Sequence, residues 1–323
     1  MAFTPVTRSW PGKRAVMFVH GIGDASNGGA GAFPVDQFRA AMGAQAAEFA
    51  IYSFNYDFIN DWAATKTQFG AGIAALKDAL KIKFGGDAVA DTISEYCGDV
   101  LWPVLNGDIR LAVRDAFVAQ LIQIHLDGGE AALDRGDDPL EYEVSIIAHS
   151  LGCFHTYEVL WAIATNPQYQ LRPASDNFRL RTAILMASPV QLIRTVARGI
   201  SALVPDQTTL ATLGNPLGLP AQTVGAKATT VARRFVSITG SQDPVGGHLL
   251  GKLQPWGYMA LDGQDSVINT QMLGTTDPGA ALAAALSGGG AAGAAGAGLR
   301  AQDPHSWTAY IERNAAKLLQ VLA

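Results

Sequence analysis

Residues 143–155 read EVSIIAHSLGCFH, and this stretch decides how the rest of the chain is interpreted. It begins as an apolar, β-branched run, which is typical of a buried strand. The chain then turns abruptly at Ser150, and helical spacing follows with Tyr157, Leu160 and Trp161. A strand, a sharp turn that carries a single serine, and a helix are the context in which a nucleophilic serine is presented.

The residues on either side of Ser150 are small, as such a turn requires. The usual motif is G-x-S-x-G, and here Ala148 and Gly152 occupy its glycine positions. Because the serine backbone is strained, the positions two before and two after it must carry little or no Cβ, and alanine is the smallest departure from glycine. On these residues the chain resembles the α/β-hydrolase superfamily, closest to its esterase and lipase members.

This resemblance implies an α/β fold in a single domain over residues 1–323, with a mostly parallel central sheet of about six strands flanked by helices. The residues themselves predict a strand at 14–19, a helix at 34–47 and a second strand at 49–54, an order that favours parallel pairing. Further strands are predicted at 180–187, 234–239 and 266–273, and a final helix at 308–322.

Three segments fall outside this regular pattern. Residues 57–138 have no strand pattern and predict a helical insertion, with helical spacing at 69–83 and at 109–126. The insertion serves either as a packing buttress or as a substrate wall. Residues 189–230 are apolar but partly irregular and form either a lid or an ordinary crossover with a long loop. Residues 279–298 are almost entirely Ala and Gly and predict a surface loop.

The resemblance also implies a catalytic triad in the order serine, acid, histidine. Ser150 takes the first place, Asp243 follows the strand predicted at 234–239, and His305 precedes the final helix. His305 would act as general base, and Asp243 would hold its imidazole in the required tautomer. Other residues compete for two of these roles: His248 for the base, and Asp262 or Asp265 for the acid.

Two backbone N–H groups would stabilise the oxyanion of the tetrahedral intermediate. Leu151, directly after the serine and at the start of a helix, supplies one. The other is assigned to Ile22, because His20-Gly21-Ile22 matches the HG-x oxyanion motif of the superfamily. The remaining histidines have structural interpretations: His20 orients the loop after the first strand, His149 shapes the turn, and His155 packs on the helix.

Composition excludes several other classes of function. Of the 323 residues 49% are hydrophobic and 16% charged, and the net charge is −5 without a long basic run, which argues against a nucleic-acid partner. No spacing of His, Cys and Asp indicates a metal site, and the glycines after residue 19 fit neither a dinucleotide fingerprint nor a phosphate loop, so no cofactor is expected. The two cysteines, Cys97 and Cys153, predict reduced buried thiols rather than a disulfide framework.

The N-terminus has no basic start followed by an apolar core, and no apolar run reaches about 18 residues, so neither a signal peptide nor a transmembrane segment is expected and the predicted location is cytoplasmic. The predicted activity is carboxylic ester hydrolysis through an acyl-enzyme, on a small-molecule or lipid-like ester. The apolar residues at 190–204 and 213–219 favour a hydrophobic acyl pocket. The alternatives are a catalytically inactive hydrolase-fold binding protein, and a thioesterase or acyltransferase that uses the same triad.

Overall fold

The computed structural model describes residues 3–21, 33–56, 107–165, 180–189, 232–240, 266–270 and 306–323. The strands are β1 (Arg14–Val19), β2 (Phe49–Phe54), β3 (Glu143–His149), β4 (Leu180–Met186), β5 (Ala232–Gly240) and β6 (Ser266–Thr270). The helices are α1 (Val35–Met42), α2 (Gly107–Asp134), α3 (Leu151–Thr165), α4 (Trp307–Arg313) and α5 (Ala315–Leu322), and a 3₁₀ helix spans Gly43–Glu48.

These strands lie in one sheet in the order β2-β1-β3-β4-β5-β6, and each neighbouring pair is parallel. The central strands β1, β3 and β4 are almost entirely buried, which explains their continuous runs of apolar residues. The predicted α/β class and its parallel sheet are therefore confirmed. The chain runs from β1 outward to β2, and β3 then lies on the opposite side of β1.

Side chains of alternate residues point to opposite faces of this sheet, and helices cover both faces. On one face, Phe18 and Ile147 belong to a core cluster that also contains Phe38 of α1 and residues of α4 and α5. On the other face, Phe54 lies against Phe117 of α2, with ring centroids 4.8 Å apart, and α3 contacts both β1 and β3. The result is a sheet between two helical layers.

Two predicted helices are shorter or more broken than their spacing indicated. The helix predicted over 34–47 ends at Met42, because Gly43 adopts a positive φ of 55° and the chain continues as a 3₁₀ helix. The helix predicted over 308–322 is interrupted at Asn314, whose Nδ2 donates to the carbonyl of Tyr310 at 2.7 Å. A buried side-chain amide that binds a carbonyl of its own helix in this way competes with the regular backbone pattern.

The other bounds differ by a few residues. The strands predicted at 14–19 and 49–54 have those bounds in the structure, whereas the strand predicted at 180–187 ends one residue earlier. The reason is Ala187, whose φ of 54° is incompatible with an extended strand. The strand predicted at 266–273 ends at Thr270. Within the insertion predicted over 57–138, the helix predicted at 109–126 lies inside the longer α2; residues 57–106 are outside the described part of the chain.

Candidate functional site

Ser150 occupies the turn between β3 and α3 and has a positive φ of 51°. A residue with a Cβ rarely adopts this conformation, and the cost must be offset by the surrounding contacts. The backbone supplies two of them: the Ser150 N–H donates to the carbonyl of Met186 at 3.0 Å, and its own carbonyl accepts from the N–H of Cys153 at 2.9 Å. The first bond ties the turn to β4, and the second begins α3.

The position of Ser150 in the sheet is one that favours ligand binding. β1 leads outward to β2 on one side, while β3 lies on the other, so the strand order reverses between β1 and β3. Ligands of open α/β sheets bind at such a point, where the strand order reverses. The parallel register pairs Val19 with Ala148, so the residues that follow these strands, His20 and Gly21, lie beside His149 and Ser150.

Two glycines allow the loop after β1 to lie directly against this turn. A Cβ built on Gly21 would lie 2.8 Å from the Cβ of Ser150, and one built on Gly152 would lie 2.3 Å from the His20 carbonyl oxygen. The Gly152 position would also place a Cβ 2.5 Å from the carbonyl oxygen of Val19. The motif therefore needs a glycine two residues after the serine because α3 starts against the backbone of β1.

Leu151 is the first residue of α3, which spans 15 residues. The first N–H groups of a helix have no acceptor within the helix, and the helix dipole gives this end a partial positive charge. The Leu151 amide next to Ser150 thus belongs to a helix terminus of the kind that stabilises a developing negative charge. Cys153, two residues further along α3, is buried, and its Sγ donates to the carbonyl of Met186 at 3.2 Å.

The beginning of α4 lies against the same turn. The ring of His149 stacks on that of Trp307, with centroids 5.4 Å apart and an angle of 10° between the planes. The ring of Trp307 also packs against that of Phe18 of β1, with ring centroids 5.8 Å apart. Ser306 caps α4, because its side chain accepts from the N–H of Ala309 at 3.5 Å. These contacts fix the segment that follows residue 305 next to the residue preceding Ser150.

His20 and Tyr56 form a compact hydrogen-bonded unit at the edge of the site. The N–H of Tyr56 donates to Nε2 of His20 at 3.2 Å, so the ring proton is assigned to Nδ1, which lies 2.6 Å from the Gly21 carbonyl oxygen. The Tyr56 hydroxyl lies 2.9 Å from the carbonyl oxygens of both His20 and Gly21. The two rings stack at 4.1 Å. His20 thus orients the loop through hydrogen bonds, as its sequence position predicted.

Tyr56 was missed by the sequence analysis, although its position carries a signal. It follows β2 by two residues, and β2 is the neighbour of β1 in the sheet. The carboxyl ends of parallel neighbours meet at one edge, so a polar residue just beyond β2 is expected near the loop after β1. Only its hydrogen bonds, however, reveal which backbone groups it binds.

His155 lies on α3 and is buried, with its ring 4.8 Å from that of Tyr56. Burial, reinforced by the nearby His20 and Arg110, lowers the pKa of His155 to about 3. Its Nε2 has no hydrogen-bond partner within the described residues. A neutral, buried imidazole agrees with the packing role predicted for it.

A buried ion pair connects the two helices behind the site. Arg110 of α2 lies 2.9 Å from the Glu158 carboxylate of α3, and both side chains are nearly inaccessible. Burial raises the pKa of Glu158 from 4.5 to about 7, although Arg110 and Arg114 oppose the shift. Between pH 4.5 and about 7, the Glu158 carboxyl therefore keeps its proton in the folded protein and loses it in the unfolded chain. The associated stability is fully present below pH 4.5 and is lost as the pH rises through 7.

Of the predicted site residues, the structure describes two, Ser150 and Leu151, and places them side by side at the start of α3. Ile22, Asp243 and His305 lie outside the described residues, as do the competitors His248, Asp262 and Asp265. Cys97, the predicted lid at 189–230 (apart from Pro189) and the Ala/Gly-rich segment at 279–298 also lie outside them.

In the described part of the chain, no cluster of three or more His, Cys, Asp or Glu side chains is arranged to hold a metal ion. Among the helices described, none combines the length and the apolar character needed to cross a membrane. Comparison with known proteins adds no assignment: no family model matches the chain, and no curated protein matches it.

Proposed function

We propose that the chain adopts the α/β-hydrolase fold and is a carboxylic ester hydrolase with Ser150 as its nucleophile. The observation that carries the proposal is the conformation of Ser150, which has a φ of 51° between a buried parallel strand and a helix N-terminus. Strain of this kind persists where the surroundings enforce it, and it is common at active sites. With this φ the serine leaves the extended path of β3 at its carboxyl end, beside the point between β1 and β3 where the strand order reverses.

The contacts around Ser150 support this role. Gly21 approaches Ser150 so closely that a Cβ would not fit between them, which brings the loop after β1 to the serine. An oxyanion site built from that loop and from the start of α3 needs this approach. We assign its two donors to the amides of Ile22 and Leu151.

We assign the base to His305 and the acid to Asp243. The stacking of Trp307 on His149 supports the first assignment, because residue 305 is only two residues before that contact. β5 supports the second, since it ends at Gly240, three residues before Asp243, and it neighbours β4 in the parallel sheet. A carboxylate beyond β5 would thus stand at the same edge of the sheet as the serine.

The reaction then proceeds in two halves. His305 removes the hydroxyl proton of Ser150 as the oxygen attacks the ester carbonyl, and the resulting oxyanion is held by the two amides. Collapse of the intermediate breaks the ester C–O bond and expels the alcohol, which takes the proton from His305. Water repeats the sequence on the acyl-enzyme, releasing the carboxylic acid and restoring Ser150. Neither half of this reaction uses a metal or a cofactor.

Hydrolysis of p-nitrophenyl esters of increasing acyl length tests the activity and the proposed apolar pocket together. The expected result is turnover that persists beyond acetate and that is lost in Ser150→Ala and His305→Ala. A folded Ser150→Ala variant with the wild-type rate would contradict the assignment of the nucleophile. Retention of full rate in His305→Ala would transfer the base to His248, and a steady fall in rate from acetate onward would contradict the apolar pocket.

A further inference from the structure

We infer that Tyr56 is a positioning residue for the oxyanion site: its hydroxyl fixes the backbone of the loop after β1 from behind. This inference rests on the proposed function. It starts from the Gly21 carbonyl, which receives two side-chain donors, His20 Nδ1 at 2.6 Å and the Tyr56 hydroxyl at 2.9 Å. Two donors on one loop carbonyl fix the direction in which that peptide points.

The carbonyl held in this way belongs to a residue that lies against the serine. A Cβ built on Gly21 would come within 2.8 Å of the Cβ of Ser150, so a small shift of the Gly21 backbone changes what faces the serine. The next residue in the sequence is Ile22, to which the proposed function assigns an oxyanion donor. Tyr56 therefore holds the end of the loop from which that donor is proposed to come.

Tyr56 is suited to this task because it is held from several sides. Its side chain is buried, its ring stacks on His20, and its backbone N–H fixes the tautomer of that histidine. It also meets His155 of α3, with ring centroids 4.8 Å apart. The single hydroxyl proton of Tyr56 is shared between the His20 and Gly21 carbonyl oxygens, which are equally distant at 2.9 Å.

The variant Tyr56→Phe removes the hydroxyl and keeps the ring. Deletion of an oxyanion donor lowers kcat by roughly 10²–10³-fold, and a donor that is present but less well oriented should lose about tenfold in kcat/KM. The loss should appear in kcat with little change in KM, because the contact strengthens only in the transition state. The variant is measured on p-nitrophenyl butyrate and normalised to folded protein.

Tyr52→Phe is the matched control. Tyr52 lies on β2, four residues before Tyr56, and its buried hydroxyl accepts from Trp10 Nε1 at 2.8 Å and donates to Asp127 at 2.6 Å. This network is separate from the His20–Gly21 loop, so Tyr52→Phe reports the general effect of losing a buried tyrosine hydroxyl. It should leave kcat/KM per folded molecule at the wild-type value.

A thiono analogue of the ester provides a readout that a purely structural role would not change. Sulfur in place of the carbonyl oxygen accepts hydrogen bonds poorly, so the ratio of kcat/KM for the ester to that for its thiono analogue reports how well the oxyanion is held. We expect this ratio to fall severalfold in Tyr56→Phe and to stay constant in Tyr52→Phe. An unchanged ratio with a wild-type kcat/KM in folded Tyr56→Phe would overturn the inference.

Two further outcomes are distinguishable. If Tyr56→Phe does not fold, His20→Phe replaces it in the same test, because it keeps the stacked ring and removes the Nδ1 donor to the Gly21 carbonyl. An unchanged ratio of ester to thiono-ester kcat/KM in His20→Phe would then overturn the inference. If Ser150→Ala hydrolyses both esters as fast as wild type, the proposed function itself fails, and the role of Tyr56 fails with it.

Discussion

The substitution Gly152→Ala tests the account of the turn at Ser150 most strictly, because it adds one methyl group to a place without room. The new Cβ would lie 2.3 Å from the His20 carbonyl oxygen and 2.5 Å from that of Val19. An ordinary carbon–oxygen contact is about 3.3 Å or longer, so α3 and β1 must separate by about 1 Å. Both obstructing atoms are backbone, and rotation of a side chain cannot relieve the clash.

Overpacking of this kind costs about 1–3 kcal/mol in the free energy of unfolding. The matched control is Gly129→Ala in α2, where the built Cβ meets the Pro139 carbonyl oxygen at 3.4 Å, an ordinary contact. In a helix, replacement of Gly by Ala stabilises by about 0.5–1 kcal/mol. The two glycine variants should therefore shift the urea midpoint in opposite directions.

Activity provides the second half of this test. A retreat of α3 by about 1 Å also displaces the Leu151 amide, and misplacement of that size in an active site can lower the rate by about 10²-fold. The urea titrations show under which conditions each variant is folded, and ester hydrolysis is then measured per folded molecule under those conditions. If Gly152→Ala is as stable as the wild type, or more stable, the packing argument for the small residue at this position is refuted.

Three further predictions concern the stability of the fold. Asp127→Ala should destabilise the fold by about 2–3 kcal/mol in urea titrations with no change in activity per folded molecule, because three donors converge on this carboxylate; a loss below about 0.5 kcal/mol would contradict that. The wild-type free energy of unfolding should decline by up to about 3 kcal/mol between pH 4.5 and 7, because burial raises the pKa of Glu158 to about 7, and Glu158→Gln should remove this decline. Identical pH profiles of stability in the two proteins would contradict this prediction. Ser306→Ala should cost about 1 kcal/mol in thermal or urea unfolding, because the side chain caps α4 through the Ala309 N–H, and a neutral result would show that the long 3.5 Å contact contributes nothing.

Much of the fold could be predicted because the buried strands are continuous apolar runs. β1 and β2 have their predicted bounds, and β3 ends one residue before Ser150, where the pattern changes to helical spacing. The helix ends were harder to predict. Gly43 ends α1 by adopting a positive φ, and Asn314 separates α4 from α5 through a local side-chain hydrogen bond. In both places the hydrophobic spacing continues past the break, so it cannot show whether the helix ends there or continues.

The candidate site also combines features that the sequence predicted with features that it could not predict. The motif around Ser150 predicted a strained serine turn, and the positive φ of that residue agrees with the prediction. Tyr56 could not be found in this way, because its role depends on two backbone carbonyls that only the folded structure brings to its hydroxyl. Ile22, Asp243 and His305 stay predictions from the resemblance and from chain order.

Reaction with a fluorophosphonate probe tests the central claim most directly, because such a probe forms a covalent bond only with an activated serine. The account predicts one adduct per folded molecule, located on Ser150 by peptide mass spectrometry. Labelling should disappear in Ser150→Ala and after unfolding in urea. An intact wild-type protein that gives no adduct on Ser150, under conditions where a known serine hydrolase is fully labelled, would contradict the claim that this turn presents a nucleophile.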